Sequence, residues 1–216
     1  MKKIILLFAL CYFSVTYSCY SQWVTNYSDT TSFFTEVQFT STNTGWVAGY
    51  KLLLIETNIG LLIKTTNAGL NWTLQNTGNA NGFWGMYFLN DNTGWIVGDK
   101  GHIRKTTDGG QSWTVSISNF ADYHENVYFQ NDITGWITGS NFYKTTNGGI
   151  NWVQQAIPPP GPVYSIVFIN DNTGFVSSYY SKIYKTTNSG QSWFMKYEGQ
   201  FHTFIYDLLF LNVNTV

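Results

Sequence analysis

The chain has 216 residues, 44% hydrophobic and only 11% charged, which excludes a disordered polyampholyte and leaves ample material for a packed core. Formal net charge is −1, from 11 Lys and Arg against 12 Asp and Glu. Arg104 is the sole arginine, so the clustered basic footprint of a nucleic-acid-binding protein is missing.

Residues 1–21 read as a secretory signal peptide. Lys2 and Lys3 provide the positive start, Ile4 to Phe13 a ten-residue apolar run, and Cys19-Tyr20-Ser21 the small residues that signal peptidase reads. Ten apolar residues are too few for a permanent membrane span, so none is expected once the leader is removed. Removal takes away Lys2 and Lys3 and leaves 9 basic against 12 acidic side chains, a net charge of −3. Both cysteines, Cys11 and Cys19, fall in the leader, so the mature chain is expected to lack disulfides, thiol chemistry and cysteine-bound metal.

Beyond the leader the chain repeats. LIKTTNAGLNWT (62–73), IRKTTDGGQSWT (103–114), FYKTTNGGINWV (142–153) and IYKTTNSGQSWF (183–194) are near-copies. They place Trp72, Trp113, Trp152 and Trp193 at steps of 41, 39 and 41 residues, a period that marks a repeat architecture. Trp23 belongs to the same column, because it precedes Phe39 by 16 residues, as Trp72 precedes Phe88 and Trp113 precedes Phe129. Residues 22–31 are therefore expected to be the orphan last strand of a blade.

Each unit then runs through the same four steps. A first strand carries apolar residues two apart (Val37/Phe39, Met86/Phe88, Val127/Phe129, Ile166/Phe168), which share one face. An Asn/Asp/Thr-rich reversal leads to a second strand opening Gly-Trp, or Gly174-Phe175 in the fourth unit. A third strand carries Lys-Thr-Thr, and the fourth begins at the boxed Trp. Four short strands per ~40 residues predict β-propeller blades over 32–75, 83–116, 125–155 and 163–196, with 204–216 starting another. The fold class is thus all-β, a propeller of four-stranded antiparallel blades, read as an open arc or a fragment of a larger, C-terminally continued ring. The first unit has 15 positions from Gly49 to Lys64 against 7 from Gly98 to Lys105, so its middle hairpin should be longer. Pro158, Pro159, Pro160 and Pro162 mark a stiff inter-blade loop.

The pattern Thr106-x-Asp108-x-Gly110-x-Ser112-Trp113 resembles the Asp-box, or BNR repeat, of sialidase-like propellers. Asp108, or Asn in the other copies, caps the turn, Gly110 permits a positive φ, and the Trp is expected to plug the space between adjacent sheets. Together with the TGWxxG stretches, the boxes resemble the photosystem II stability/assembly factor family over Gln22 to Val216. That resemblance implies a ring of perhaps seven blades, non-enzymatic and exported or lumenal, that binds other proteins. The repeats are also similar to those of large secreted and cell-surface proteins of the Bacteroidetes type.

The residues themselves speak against the hydrolases that share these boxes. A sialidase needs three converging arginines, and a xyloglucanase-like enzyme needs a pair of carboxylates that no spacing here singles out. His102, His124 and His202 share no ligand spacing, and no Gly-rich loop opens a helix, so neither metal nor cofactor is expected. Trp84 alone among nine tryptophans has no counterpart in the repeat. With Tyr123, His124, Phe201 and His202 it maps to the inter-blade loops at one end of the propeller, and these five form the predicted binding surface. The sequence therefore predicts an exported, non-enzymatic propeller, a protein-binding or scaffold module at the cell surface or otherwise outside the cytoplasm. The alternative is a carbohydrate-binding or glycoside-hydrolase propeller.

Overall fold

The computed structural model describes residues 31–52, 58–78, 81–116, 122–156, 161–200 and 203–209. The leader, Trp23, the Pro158–Pro160 run, Phe201 and His202 lie outside them. Sixteen strands form four antiparallel blades in chain order. The first holds β1 (Ser32–Phe39), β2 (Gly45–Leu52), β3 (Asn58–Thr65) and β4 (Thr73–Leu74). The second holds β5 (Phe83–Phe88), β6 (Gly94–Gly98), β7 (Ile103–Thr106) and β8 (Thr114–Val115). The third holds β9 (His124–Phe129), β10 (Gly135–Gly139), β11 (Phe142–Thr145) and β12 (Val153–Gln155). The fourth holds β13 (Val163–Phe168), β14 (Gly174–Ser178), β15 (Lys182–Thr186) and β16 (Phe194–Tyr197). A single bridge, Gly139 to Val163, joins the last two blades. The first strands β1, β5, β9 and β13 contact one another in succession and form the inner ring, while the fourth strands are exposed along the outside.

The longer hairpin expected in the first unit is present: β2 and β3 pair over eight residues, against four pairs between β6 and β7. Its tip, 53–57, is outside the described residues. Residues 203–209 form no regular strand, but Leu208 N–H donates to Ser165 Oγ at 3.1 Å, as Met86 N–H donates to Glu36 Oε2 at 2.6 Å at the junction of the first and second blades.

Blades are joined by aromatic stacking. Phe88 lies on Trp46 of the preceding blade with ring centroids 4.0 Å apart, Phe129 on Trp95 at 3.5 Å and Phe168 on Trp136 at 4.4 Å. On its other side each Phe meets the boxed Trp of its own blade edge-on, Trp113, Trp152 or Trp193. Both tryptophan columns therefore fill the space between sheets, the Gly-Trp indole stacked across the junction and the boxed indole closing it edge-on. Trp46, Trp95 and Trp136 are fully buried; of the boxed indoles Trp152 and Trp193 are buried, and Trp72 and Trp113 are half-buried.

The repeated Lys has a matching task. Lys64, Lys105 and Lys144 lie over the rings of Trp46, Trp95 and Trp136 and donate to the backbone carbonyls of Gly109, Gly148 and Ser189 in the next blade's box turn. Each charge thus closes a cation–π contact and a hydrogen bond across a blade junction. Within the box, Asp108 accepts from Thr106 Oγ1, Ser112 N–H and Ser112 Oγ, and these donors hold its carboxyl down at about 2. Gly110, at φ 84°, packs where a Cβ would stand 2.8 Å from the Trp46 ring. The NDxTG reversals are capped by Asn rather than Asp: Asn90, Asn131 and Asn170 each accept two backbone N–H groups. Among the described residues no helix is long and apolar enough to cross a membrane.

Candidate binding cleft

All four inner strands carry a β-bulge at the same register. Pairing skips Thr35 between Phe34 and Glu36, Trp84 between Phe83 and Gly85, Glu125 between His124 and Asn126, and Tyr164 between Val163 and Ser165. Each bulged residue stands four positions before its Phe. A bulge leaves one residue unpaired and turns its side chain out of the regular alternation. The bulge is built by close backbone approach opposite it. A Cβ on Gly49, Gly98 or Gly139 would stand 2.0, 2.0 or 2.2 Å from the carbonyl oxygen of Phe33, Gly82 or Tyr123. In the fourth blade Ser178 takes the glycine's place, and its Oγ donates to the Pro162 carbonyl at 2.7 Å.

The four bulged side chains converge on one cleft. Thr35, Trp84, Glu125 and Tyr164 line it together with Tyr123, Ser140 and Tyr206, around a volume of about 680 Å³. Tyr206 occupies the register of the bulged residues in the segment after the fourth blade. That volume is within the usual range for ligand sites, and the walls are mainly aromatic. Trp84 is fixed from behind: its Nε1–H donates to Asp99 Oδ1 at 2.5 Å and its ring meets Tyr50 at 5.0 Å. Tyr164 and Tyr206 lie 5.4 Å apart, with Phe204 stacked on Tyr206. Glu125 is the one carboxylate in the lining among the described residues. Although it reaches solvent, the cleft walls take enough water from it to raise its pKa. The same carboxylate, after desolvation, helps to raise the pKa of Tyr164.

Below the mouth, side chains of β1 satisfy the free edge of β5. Gln38 accepts from Phe88 N–H at 2.7 Å and donates to its carbonyl at 2.8 Å. Glu36 accepts from Met86 N–H. Burial raises the Glu36 carboxyl to about 7, partly offset by that hydrogen bond, with Asp207 a smaller like-charge contribution. No group of three or more potential metal ligands gathers among the described residues.

Of the five predicted surface residues, Trp84 and Tyr123 line the cleft. His124 does not. It is the first residue of β9 rather than part of a loop, is fully buried, and stands edge-on to Tyr143. Among the described residues neither ring nitrogen has a hydrogen-bond partner, and burial lowers its pKa to about 4, so it is a neutral core residue. It occupies the core position held by Phe83 and Val163 in the neighbouring blades, a register at which Phe34 of the first blade is exposed. Phe201 and His202 lie outside the described residues. Glu125, Tyr164 and Tyr206 were missed, and the signal was their shared distance from the Phe column.

The family model described as photosynthesis system II assembly factor YCF48 matches residues 64–204. Among solved structures, YCF48 bound to D1 peptide is 19% identical with a TM-score of 0.60, over 76% of this chain and 53% of that one. An ancestral GH74 enzyme is 19% identical with a TM-score of 0.58, over 74% of this chain and 23% of its own. The GH74 enzyme of Niastella koreensis is 20% identical with a TM-score of 0.55, over 73% and 28%. At these identities the likenesses show the propeller fold alone, and the chain spans only about half of the YCF48 structure it matches. No curated protein matches the sequence. The family match covers well over half of the chain, on repeats whose boxes, Gly-Trp stacks and lysine links recur blade after blade: the chain belongs to the photosynthesis system II assembly factor YCF48 family.

Proposed function

We propose that the chain is a non-enzymatic, exported binding module whose inner-strand bulges hold a segment of a partner protein. The observation that carries this is the cleft itself, where four bulges at one register aim side chains into a single aromatic-walled space. Rigid aromatic walls bury area at low entropic cost, which suits recognition of an extended peptide. Membership of an assembly-factor family, and a fold shared with a YCF48 bound to a peptide, support the same reading. Export is supported by the sequence of residues 1–21 alone, and the cell surface is the site of action we infer from it.

The GH74 likeness supports a second reading, a glycan-binding or hydrolytic propeller. Hydrolysis requires two carboxylates flanking the scissile bond, and Glu125 is the only one in the cleft lining among the described residues. Two measurements test the proposal. Mixed-sequence decapeptides should shift the Trp84 indole resonance, with the response lost in Tyr164→Ala, while xyloglucan oligosaccharides remain uncut and cause no shift. Release of reducing sugar from xyloglucan would overturn it. For export, the chain made with its first 21 residues in a bacterium should be recovered outside the cytoplasm beginning at Gln22. Recovery of the uncleaved chain inside would refute that part.

A further inference from the structure

The chemistry of the cleft is more specific than a generally aromatic groove. Among the described residues its lining places one carboxylate, Glu125, with four aromatic side chains, Trp84, Tyr123, Tyr164 and Tyr206, and no Lys, Arg or His. Among the described residues Glu125 has neither an ion pair nor a side-chain hydrogen bond, unlike Asp91, Asp99, Asp108, Asp122 and Glu198, each of which accepts from a neighbour. An unpaired carboxylate in a partly desolvated site is costly unless a counter-charge is supplied on binding. Aromatic faces supply the complementary attraction, because their quadrupole favours a cation over the ring.

The walls are also set in advance. The Trp84 indole donates to Asp99 Oδ1 at 2.5 Å, which fixes the ring plane and adds negative charge behind the face turned to the cleft. Tyr164 and Tyr206 hold each other at 5.4 Å. A site fixed before binding loses little side-chain entropy when occupied. The same pairing of a cation with an indole is used inside the fold, where Lys105 lies 5.0 Å from the Trp95 ring centre.

We propose that this cleft is a socket for one basic side chain, lysine or arginine, presented by the partner polypeptide and held by Glu125 between Trp84, Tyr164 and Tyr206. The inference rests on the peptide-binding reading above and names the feature that the peptide must carry. Glu125 supplies the charge, the rings supply the faces, and Tyr123 closes the outer rim.

The test uses the full chain and five synthetic pentapeptides that differ only at the central residue: Lys, Arg, acetyl-lysine, Leu and Glu. Binding is followed by the Trp84 indole N–H resonance. Lys and Arg peptides should bind roughly tenfold more tightly than the acetyl-lysine and Leu peptides, and Glu125→Gln should remove most of that preference. Glu198→Gln, which removes an acid outside the cleft, should leave the preference unchanged. Leu and Lys peptides binding equally would overturn this inference and leave the peptide-binding reading standing. No shift from any peptide would sink both. A shift from tetramethylammonium chloride, with none from the peptides, would assign the cleft to free quaternary ammonium ions and overturn the polypeptide assignment.

Discussion

Phe129 and Phe39 occupy the same register in different blades, and they should respond very differently to truncation. Phe129 is 0% exposed, stacked on Trp95 at 3.5 Å and met edge-on by Trp152 at 5.8 Å. Phe39 is 49% exposed and touches a single indole, Trp72, at 6.2 Å, because no described blade precedes it. Replacing a buried Phe by Ala costs roughly 3–5 kcal/mol, as lost transfer energy plus an unfilled cavity between two indoles. At Phe39 about half the transfer term is at stake and no closed cavity forms, so the loss should be about 1 kcal/mol. For a chain of this size the Phe129→Ala loss lowers the melting temperature by roughly 10 °C. Stacked repeats need not unfold in one step, so hydrogen exchange resolved by blade is the sharper assay. Phe129→Ala should lower protection in β9, β10 and the facing β6, whereas Phe39→Ala should affect only the first blade. Equal losses in the two variants would refute the claim that each blade is stabilised by the indole of its predecessor.

Two further outcomes follow from the inner strands. Burial holds the Glu36 carboxyl at about 7, above its ordinary value of 4.5, so its contribution to stability is complete below about pH 4.5 and is lost as pH rises through about 7. The swing is at most ~3 kcal/mol, and Glu36→Gln, which keeps an acceptor for Met86 N–H, should remove it. Melting temperatures of chain and variant at pH 4.5 and pH 8 check this, and a constant difference between them would contradict the assignment. Gly98→Ala would set a Cβ 2.0 Å from the Gly82 carbonyl oxygen, opposite the Trp84 bulge. It should destabilise by at least ~2 kcal/mol and displace the Trp84 indole resonance, while Gly161→Ala, with its nearest contact at 3.9 Å, should stay within ~0.5 kcal/mol.

What the sequence made legible was whatever the packing repeats. The Phe column, the Gly-Trp residues and the boxes recur because every junction between blades poses the same problem, so spacing alone reveals the blades. The cleft was half legible. Trp84 and Tyr123 stood out as aromatics without a structural task, and both line it. His124 looked like their neighbour because it adjoins Tyr123 in the chain, but strand geometry sends adjacent side chains to opposite faces and puts it in the core. Glu125, Tyr164 and Thr35 were hidden for the opposite reason: a bulge breaks the two-residue alternation on which strand reading depends. That Trp152 and Trp193 are buried while Trp72 and Trp113 are only half-buried was likewise out of reach, since spacing gives register and not depth.

The bulge also explains why the proposed recognition residues are sited there and not elsewhere on the inner strands. A paired residue of β5, β9 or β13 either fills the core beside the Phe or faces the free edge of the next strand. Changing it disturbs a stack or a ladder. The bulged residue is in neither, so stack and ladder do not fix its identity, and the chain places Thr, Trp, Glu and Tyr at four equivalent positions where the Phe four residues on never varies. Local hydrogen bonds still hold two of them, Thr35 Oγ1 to the Ala48 and Phe83 carbonyls and Trp84 to Asp99. What is constrained is the residue opposite, which must leave room for a carbonyl: glycine three times, and once a serine that bonds it. Specificity can thus be rewritten one blade at a time at a fixed geometry. Exchanging the bulged residues Glu125 and Thr35 between blades should therefore move the charge across the cleft mouth, at a cost of about 1 kcal/mol in the first blade, where the Thr35 hydroxyl's bonds to the Ala48 and Phe83 carbonyls are lost, and within ~0.5 kcal/mol in the third.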